Sequence, residues 1–254
     1  MVVILTPTHP SAPKSAELRT ESGRVIRYIA PSGLNLPSTT FENNDYCYAS
    51  TAGKRRTQLD DDREKGEHWD SLTYLIQSVD AIVEMEMETD LFEGKTVLEI
   101  GMTTGLSSVY AWENGASELT VHNIDSANYN YYTKLTLLQN NIPLNKCKFS
   151  YGDMKALKKS LGGKKFDVIL AADLLNCDKT DFQLIHDIID EALVDDGMCL
   201  FSAQLHYFFH TDSSLPDFLS IVKHNKKLDY IERFSSPRTD INQRKVIQLT
   251  RSLF

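Results

Sequence analysis

The sequence predicts an α/β protein with a doubly wound, mostly parallel seven-stranded sheet, an antiparallel hairpin at the C-terminal edge and an N-terminal arm. Short apolar segments alternate with helical ones from Trp69 onward, which is typical of a parallel sheet with helices on both faces. The last two apolar segments have no helix between them, so we expect them to pair antiparallel. The 254 residues, 41% hydrophobic and 24% charged, suit one large domain with an extension.

The first 66 residues differ in composition from the rest. They contain five of the eight prolines, clusters of Ser, Thr and Asn, and a charged run over residues 54–67. These features predict a partly extended or hairpin arm over residues 1–66, followed by one domain over residues 67–254. Arg24–Ala30 alternates between polar and apolar residues, which predicts one strand of a small hairpin, and Tyr46–Ala49 is a second β-like piece.

The remaining elements follow from apolar spacing. Apolar residues three and four positions apart between Trp69 and Val83 predict a long first helix. The predicted strands are Thr96–Ile100, Glu118–Ile124, Lys146–Tyr151, Phe166–Ala171, Met198–Ala203, Asp229–Phe234 and Val246–Thr250. The predicted helices between them are Leu106–Asn114, Asn128–Asn140, Met154–Leu161, Phe182–Ala192 and Pro216–His224.

Composition argues against several classes of protein. The formal net charge of −8 disfavours non-specific binding to nucleic-acid backbone. The four cysteines lack paired spacing, so we expect reduced thiols in the cytosol or nucleus. No apolar run approaches the roughly 20 residues of a membrane span, and no signal peptide is expected. His206 and His210 follow a predicted strand and do not share a helical face, so no metal site is expected.

The stretch Lys95–Leu106 carries the clearest functional signal. A predicted strand runs into Gly101, a polar turn, Gly105 and then a helix, and such a turn brings backbone N–H groups close to a nucleotide-like ligand. Glu99 favours S-adenosylmethionine over a dinucleotide, because a carboxylate would repel a pyrophosphate. Thr103 stands where a middle glycine is usual. We predict that Glu99, Gly101, Thr103 and Gly105 contact the cofactor.

Polar residues also follow the next strands, where an open sheet binds its ligand. Asp125, or Asn123 in its place, could bind ribose, although Asp125 could equally cap the helix that follows. Asp153 could accept the adenine amino group while Met154 packs on the ring, and Asp153 is also a candidate N-cap. Asp173 would lie where a substrate enters, or would be an ordinary loop carboxylate.

Three further features are candidates for the site, and two of them have a second interpretation. Trp69 could contact the ligand or anchor the core. Ala171 precedes Asp173 at the end of the fourth predicted strand and is a candidate for cofactor contact. The cluster His206–His210 could shape a substrate pocket or close the core.

In these motifs the chain resembles the seven-strand S-adenosylmethionine-dependent methyltransferases, which have a Rossmann-like sheet. Within them it is most similar to the histidine-specific branch of the lysine/histidine protein-methyltransferase group. The resemblance runs from about Gly66 to the C-terminus, and only its last motif is specific to that branch. It rests on Gly66–Asp70, Val97–Leu106, Lys148–Asp153, Asp167–Asp173 and Gly197–Phe208.

The resemblance implies S-adenosylmethionine as cofactor and methylation of a protein histidine or lysine nitrogen. Asp173, Asn176, His206 and Tyr207 would then form the catalytic side, Asn176 standing where the group has a tyrosine. A protein substrate is implied, for which a translation-related protein is one candidate. A monomer in the cytoplasm or nucleus, with no membrane or direct nucleic-acid binding, is expected.

The departures at Thr103, Asn123 and Asn176 leave a second interpretation open, a methyltransferase fold that serves as a binding or scaffold subunit without catalysis. A nicotinamide-dependent oxidoreductase is a third interpretation, and the sequence Gly101-Met-Thr-Thr-Gly105 disfavours it because it lacks three glycines.

Overall fold

The computed structural model describes residues 14–30, 58–84, 88–207, 213–240 and 243–252, with the backbone alone for residue 14 and residues 58–70. Seven strands form the central sheet, and the predicted fold class is confirmed. These strands are β3 (Thr96–Gly101), β4 (Glu118–Asn123), β5 (Cys147–Tyr151), β6 (Phe166–Ala172), β7 (Leu193–Gln204), β10 (Leu228–Ser235) and β11 (Arg244–Arg251).

The strand order is β10-β11-β7-β6-β3-β4-β5. The pairs among β3 to β7 are parallel, whereas β11 pairs antiparallel with both β7 and β10. From β3 the chain builds outward through β4 and β5 on one side, and then returns to β6 on the other side. This reversal places a topological switch point at the carboxyl ends of β3 and β6, where open α/β sheets bind ligands.

Helices cover both faces of the sheet. They are α1 (Gln58–Glu84), α2 (Leu106–Glu113), α3 (Ser126–Asn128), α4 (Lys134–Gln139), α5 (Met154–Leu161), α6 (Phe182–Ala192) and α7 (Leu215–Asn225). A π-helical turn, Tyr129–Thr133, joins α3 to α4. Helix α1 begins at Gln58 and therefore crosses the predicted boundary at residue 66. The sequence did not predict this early start, because the first turns of the helix are charged and carry no apolar periodicity.

Two hydrophobic cores lie on opposite faces of the sheet, as strand alternation requires. Val97 and Leu170 belong to the core beneath α1, α2 and α4, while their neighbours Leu98 and Ile169 belong to the core beneath α5, α6 and α7. Because both faces are covered, the central strands are buried almost completely and read as continuous apolar runs.

A hairpin of β1 (Lys14–Arg19) and β2 (Val25–Ala30) packs on the first core. Asp80 of α1 anchors it by accepting hydrogen bonds from the backbone N–H and the hydroxyl of Ser22. The strand predicted over Arg24–Ala30 is present as β2. Strand β1 was not predicted, because polar and apolar residues alternate only weakly along it. The β-like piece at Tyr46–Ala49 lies outside the described residues.

A shorter hairpin follows the long strand β7. Its strands are β8 (His206–Tyr207) and β9 (Ser213–Ser214), which pair antiparallel. Strand β7 is longer at both ends than the predicted Met198–Ala203 and reaches Gln204. The hairpin that follows brings Tyr207 back toward the carboxyl end of β6.

Candidate functional site

The glycine turn after β3 packs directly against the end of β6. Gly101 and Gly105 have φ angles of +77° and +81°, which favour glycine. A Cβ on Gly101 would lie 2.3 Å from the Ala172 carbonyl oxygen, and the Met102 N–H donates to that same oxygen over 2.7 Å. The two glycines are thus required by backbone geometry. Thr103 is not among the residues with positive φ, so this position does not need glycine.

Glu99 organises the glycine turn from inside. Its side chain is almost completely buried, and its carboxylate accepts hydrogen bonds from the N–H groups of Thr104, Gly105 and Ser108 and from the Ser108 hydroxyl. Burial raises the pKa of Glu99, while the bonds from Ser108 oppose that rise. Direct contact of Glu99 with a ligand stays a prediction, because the described bonds point into the turn.

The same arrangement disfavours the dinucleotide interpretation. A pyrophosphate site presents turn N–H groups and a helix N-terminus to the ligand. Here the N–H groups of Thr104 and Gly105, together with the Ser108 N–H in the first turn of α2, are directed at Glu99. The carboxylate occupies the position that an anionic ligand would take.

Asn123 ends β4 in a buried polar cluster. Its Oδ1 accepts hydrogen bonds from Thr133 Oγ1 at 2.6 Å and from Thr103 Oγ1 at 3.5 Å. Its Nδ2 is buried and has no hydrogen-bond partner among the described residues. Because the oxygen and nitrogen of an amide are assigned from such contacts, the group could be turned over. In either orientation, one of its two polar atoms has no hydrogen-bond partner among the described residues.

The cluster gives Thr103 a partner and adds a residue to the site, while contact of Thr103 with the cofactor stays a prediction. The Thr103 side chain is turned toward Asn123, and it is buried rather than directed outward. Thr133 closes the π-helical turn, a feature that often marks functional sites, and this turn carries its hydroxyl to Asn123. Sequence reasoning missed Thr133, because a threonine inside a predicted helix carries no signal of its own.

The predicted carboxylates at the ends of β4 and β5 both cap helices. Asp125 Oδ1 accepts from the Asn128 N–H at 2.7 Å, and Asp153 Oδ1 accepts from the Ala156 N–H at 2.8 Å. The N-cap interpretation therefore describes their local role, and ribose or adenine contact stays a prediction for each. Met154 is buried in the second core, so its packing on a base also stays a prediction.

The turn after β5 is fixed by β4 through residues that sequence reasoning missed. His122 is fully buried and bridges Ser150 Oγ at 2.8 Å and the Gly152 carbonyl oxygen at 2.9 Å. Burial lowers the pKa of His122. The sequence gives little signal for His122, because it occupies a polar position in a strand whose polar and apolar residues alternate.

The end of β6 carries a strained carboxylate. Asp173 has φ +48°, a left-handed conformation that is uncommon outside glycine, and it is buried. The Tyr207 hydroxyl donates to Asp173 Oδ1 over 2.9 Å, and the Asp173 N–H donates to Ser202 Oγ over 3.1 Å. Ser202 Oγ in turn donates to the Ser71 carbonyl oxygen, which links this strand end to α1. Strained residues of this kind cluster at functional sites.

The other residues predicted for this side take different positions. The Asn176 N–H donates to the Asp173 carbonyl oxygen over 3.3 Å and closes the turn after β6. His206 is exposed at the start of β8, and Ala171 is fully buried between strands in the second core. Trp69 lies in α1, but its side chain is outside the described residues. The side chains of Asp173 and Tyr207, both predicted catalytic residues, are in contact.

Within the described residues, no group of three or more His, Cys, Asp or Glu side chains could hold a metal ion. No helix in the described part of the chain is long and apolar enough to cross a membrane.

Comparison with solved structures defines the class of fold. The chain is similar to magnesium protoporphyrin IX methyltransferase from Synechocystis, with 14% identity, a TM-score of 0.53, and coverage of 79% of this chain and 87% of that one. It is also similar to the O-methyltransferase TomG from Streptomyces achromogenes, with 11% identity, a TM-score of 0.50, and coverage of 70% and 89%. The protein therefore has the fold of the S-adenosylmethionine-dependent methyltransferases.

Two curated proteins are similar to the chain in sequence. The chain belongs to the same family as the uncharacterized protein F22B7.9 from Caenorhabditis elegans, with 45% identity over 254 residues and full coverage of both chains. It is 31% identical to the histidine protein methyltransferase 1 homolog from Dictyostelium discoideum over 131 residues, which are 52% of this chain and 42% of that protein. The chain thus matches less than half of that relative. No protein-family model matches the chain.

Proposed function

We propose that this protein is an S-adenosylmethionine-dependent protein methyltransferase that methylates a histidine, or a lysine, nitrogen of a protein substrate. The observation that carries the proposal is the strained Asp173, bound by Tyr207, directly beside the glycine turn. Ala172 joins the two, since its carbonyl oxygen accepts the Met102 N–H. The methyltransferase fold and the Dictyostelium relative support the same reaction.

The residues at the strand ends fit the proposed cofactor. The buried amide of Asn123 leaves one polar atom without a partner among the described residues, and ribose hydroxyls can donate to or accept from such an atom. The N–H groups of Thr104 and Gly105 in the glycine turn donate to the Glu99 carboxylate, which suits a ligand that carries an ammonium and no phosphate. Gly101–Gly105, Asn123 and the turn Gly152–Met154 would hold the cofactor. When bound, it supplies a methyl group on a sulfonium.

Asp173 would act on the nucleophile. An imidazole attacks through one nitrogen while its other N–H is held by an acceptor, and a carboxylate is the usual partner that fixes this orientation. Asp173 Oδ atoms would accept that N–H and stabilise the positive charge that develops on the ring when it is methylated. A lysine amine must first lose a proton, and the same carboxylate would accept a hydrogen bond from it. In both cases the contribution is mainly positioning at near-attack distance.

The proposal is tested in two steps. Calorimetric titration of the purified chain with S-adenosylmethionine and S-adenosylhomocysteine should give micromolar binding. The protein is then incubated with methyl-labelled S-adenosylmethionine and an extract of cells that lack it, and the labelled residue is identified by mass spectrometry. Methylhistidine or methyllysine that depends on the added protein is the expected result. No binding at millimolar ligand would contradict the proposal and favour a binding or scaffold subunit.

A further inference from the structure

His122 makes two hydrogen bonds with opposite roles. The Gly152 carbonyl oxygen can only accept, so the His122 Nε2 beside it carries the proton and donates over 2.9 Å. Nδ1 lies 2.8 Å from the Ser150 hydroxyl, which donates to it when the ring is neutral. Burial lowers the pKa of His122, which favours a neutral ring and therefore this arrangement. The Nε2 proton is donated to the Gly152 carbonyl, and the backbone of Asp153 is also close enough to the ring to oppose the effect of burial on its pKa.

Both polar backbone groups of Gly152 are bound by consecutive residues of β4. The Gly152 N–H donates to the Asn123 carbonyl oxygen over 3.0 Å, and its carbonyl accepts from His122. Gly152 has φ +124°, and a Cβ there would lie 2.6 Å from the Ala156 Cβ. The turn after β5 can therefore be built in few ways, and the side chain of His122 selects the orientation of its peptide plane.

The orientation of that plane determines what the turn presents. In a trans peptide, the carbonyl of one residue and the N–H of the next point in opposite directions. Because the Gly152 carbonyl points at His122, the Asp153 N–H points away from that ring. The Asp153 carboxylate follows immediately, fixed by its cap to Ala156. A donor N–H and an acceptor carboxylate next to each other match the N1 and the 6-amino group of adenine.

We infer that His122 is a positioning residue for recognition of the adenine base, acting through the turn Gly152–Met154. This role rests on the proposed function, since the base is that of the cofactor. His122 itself does not touch the ligand. It holds the Gly152 carbonyl, and thereby sets the direction of the Asp153 N–H.

His186 provides a matched control for this role. It is also a fully buried histidine, and it bonds to Asp187 and Asn225 between α6 and α7 rather than at a strand end. A phenylalanine at either position removes the imidazole bonds and keeps a ring of similar size. A general loss of stability is therefore expected from both variants, and a change in base recognition only from His122→Phe.

The experiment compares S-adenosylhomocysteine with S-inosylhomocysteine by calorimetry. Hypoxanthine has an N1–H donor and a 6-oxo acceptor, which reverses the pattern that the turn presents. We expect the unaltered protein to prefer the adenosyl compound about tenfold or more. In His122→Phe, affinity for the adenosyl compound should fall about tenfold and the preference should approach one. His186→Phe should keep the preference.

Two further variants keep the test decisive. His122→Gln places an amide N–H within reach of the Gly152 carbonyl and should restore most of the preference. If His122→Phe does not fold, Ser150→Ala removes only the hydroxyl that fixes the imidazole and should lower the preference in the same direction. An unchanged preference in His122→Phe or in Ser150→Ala overturns the role, and so does an equal loss in His186→Phe.

The outcomes for the unaltered protein separate this role from the proposed function. Binding of both compounds with equal affinity would leave the proposed function standing and overturn the role of the turn. Binding of neither compound would overturn the proposed function, and the role of His122 with it.

Discussion

The Tyr207 hydroxyl donates a hydrogen bond to Asp173 Oδ1 over 2.9 Å and accepts one from the Gln204 N–H over 3.1 Å. Both residues are buried, although 34 positions separate them in the sequence. Burial, together with the nearby carboxylate, raises the pKa of Tyr207 well above its ordinary value, so the hydroxyl stays a donor at neutral pH. The bond joins β8 to β6 at the edge where the glycine turn lies.

Neutralising Asp173 should reduce methyl transfer and leave cofactor binding nearly unchanged. Asp173→Asn keeps a side chain that tolerates the left-handed backbone and still accepts from Tyr207. We expect S-adenosylhomocysteine affinity to stay within about threefold and methyl transfer to fall about 100-fold or more, the usual scale for a positioned catalytic group. Asp125→Asn is the control, because it also neutralises a strand-end carboxylate and keeps a good N-cap. Loss of cofactor binding in Asp173→Asn would mean that Asp173 faces the cofactor.

Removing the Tyr207 hydroxyl should reduce transfer without removing the ring. Tyr207→Phe breaks the bond to Asp173, so kcat should fall about tenfold with little change in the KM for the cofactor. Tyr110→Phe is the matched control, since the Tyr110 hydroxyl donates to the buried Asp80 over 3.1 Å, away from the strand ends. Both variants should lose about 1–2 kcal/mol of unfolding free energy in urea. Equal kinetics of the two variants would contradict a role for Tyr207 beyond stability.

Asn123 and Thr103 should contribute unequally to cofactor affinity. Asn123→Ala removes the only amide of the buried cluster, and we expect calorimetry to show about tenfold weaker binding of S-adenosylhomocysteine. Thr103→Ala removes one long hydrogen bond from a position with unstrained backbone, so affinity should stay within about threefold. A large gain in affinity for Thr103→Ala would instead show that the threonine side chain obstructs the site.

Gly101 should tolerate no side chain. In Gly101→Ala the new methyl group would meet the Ala172 carbonyl oxygen within the β3–β6 pair, in a backbone with φ +77°. We expect a loss of about 2–4 kcal/mol of unfolding free energy, measured by denaturant titration. Gly162 has φ +56° with open space around it, so Gly162→Ala should cost only about 1 kcal/mol. An equal loss of unfolding free energy in the two variants would show that β6 can shift to accommodate the new methyl group.

Acid should weaken the attachment of β11 to α6. Burial by itself would raise the pKa of Asp190, but hydrogen bonds from Lys227 and Arg251 outweigh it and lower the pKa. The ionised Asp190, bound by Lys227 and Arg251, therefore stabilises the fold fully above the ordinary carboxyl pKa of about 4. This stabilisation is lost as the pH falls through the lowered pKa of Asp190 in the folded protein. When the free energy of unfolding is measured by denaturant titration between pH 3 and 7, it should fall less steeply toward acid pH for Asp190→Asn than for the unaltered protein. The exposed Asp229→Asn is the control, and an identical slope in all three proteins would contradict the assignment.

The strands and helices of the domain could be predicted from the sequence because their signals are local. The predicted Phe182–Ala192 and Met154–Leu161 helices agree with the structure at both ends, and the central strands agree within a residue or two except β7, which begins five residues earlier. Charged and weakly alternating segments gave no such signal. Strand β1 is held by pairing with β2, and the first turns of α1 precede the apolar periodicity.

By itself, the sequence determined the doubly wound sheet, the turn between Gly101 and Gly105, and the strand ends where polar residues gather. Apolar periodicity and glycine are properties of neighbouring residues, so a linear reading detects them. The tertiary structure alone decided which polar atoms meet: Glu99 with its own turn, Asn123 with Thr133, His122 with Gly152, and Tyr207 with Asp173. Except within the glycine turn, these partners lie on different elements, and only the packing of those elements in the fold sets the distances between them.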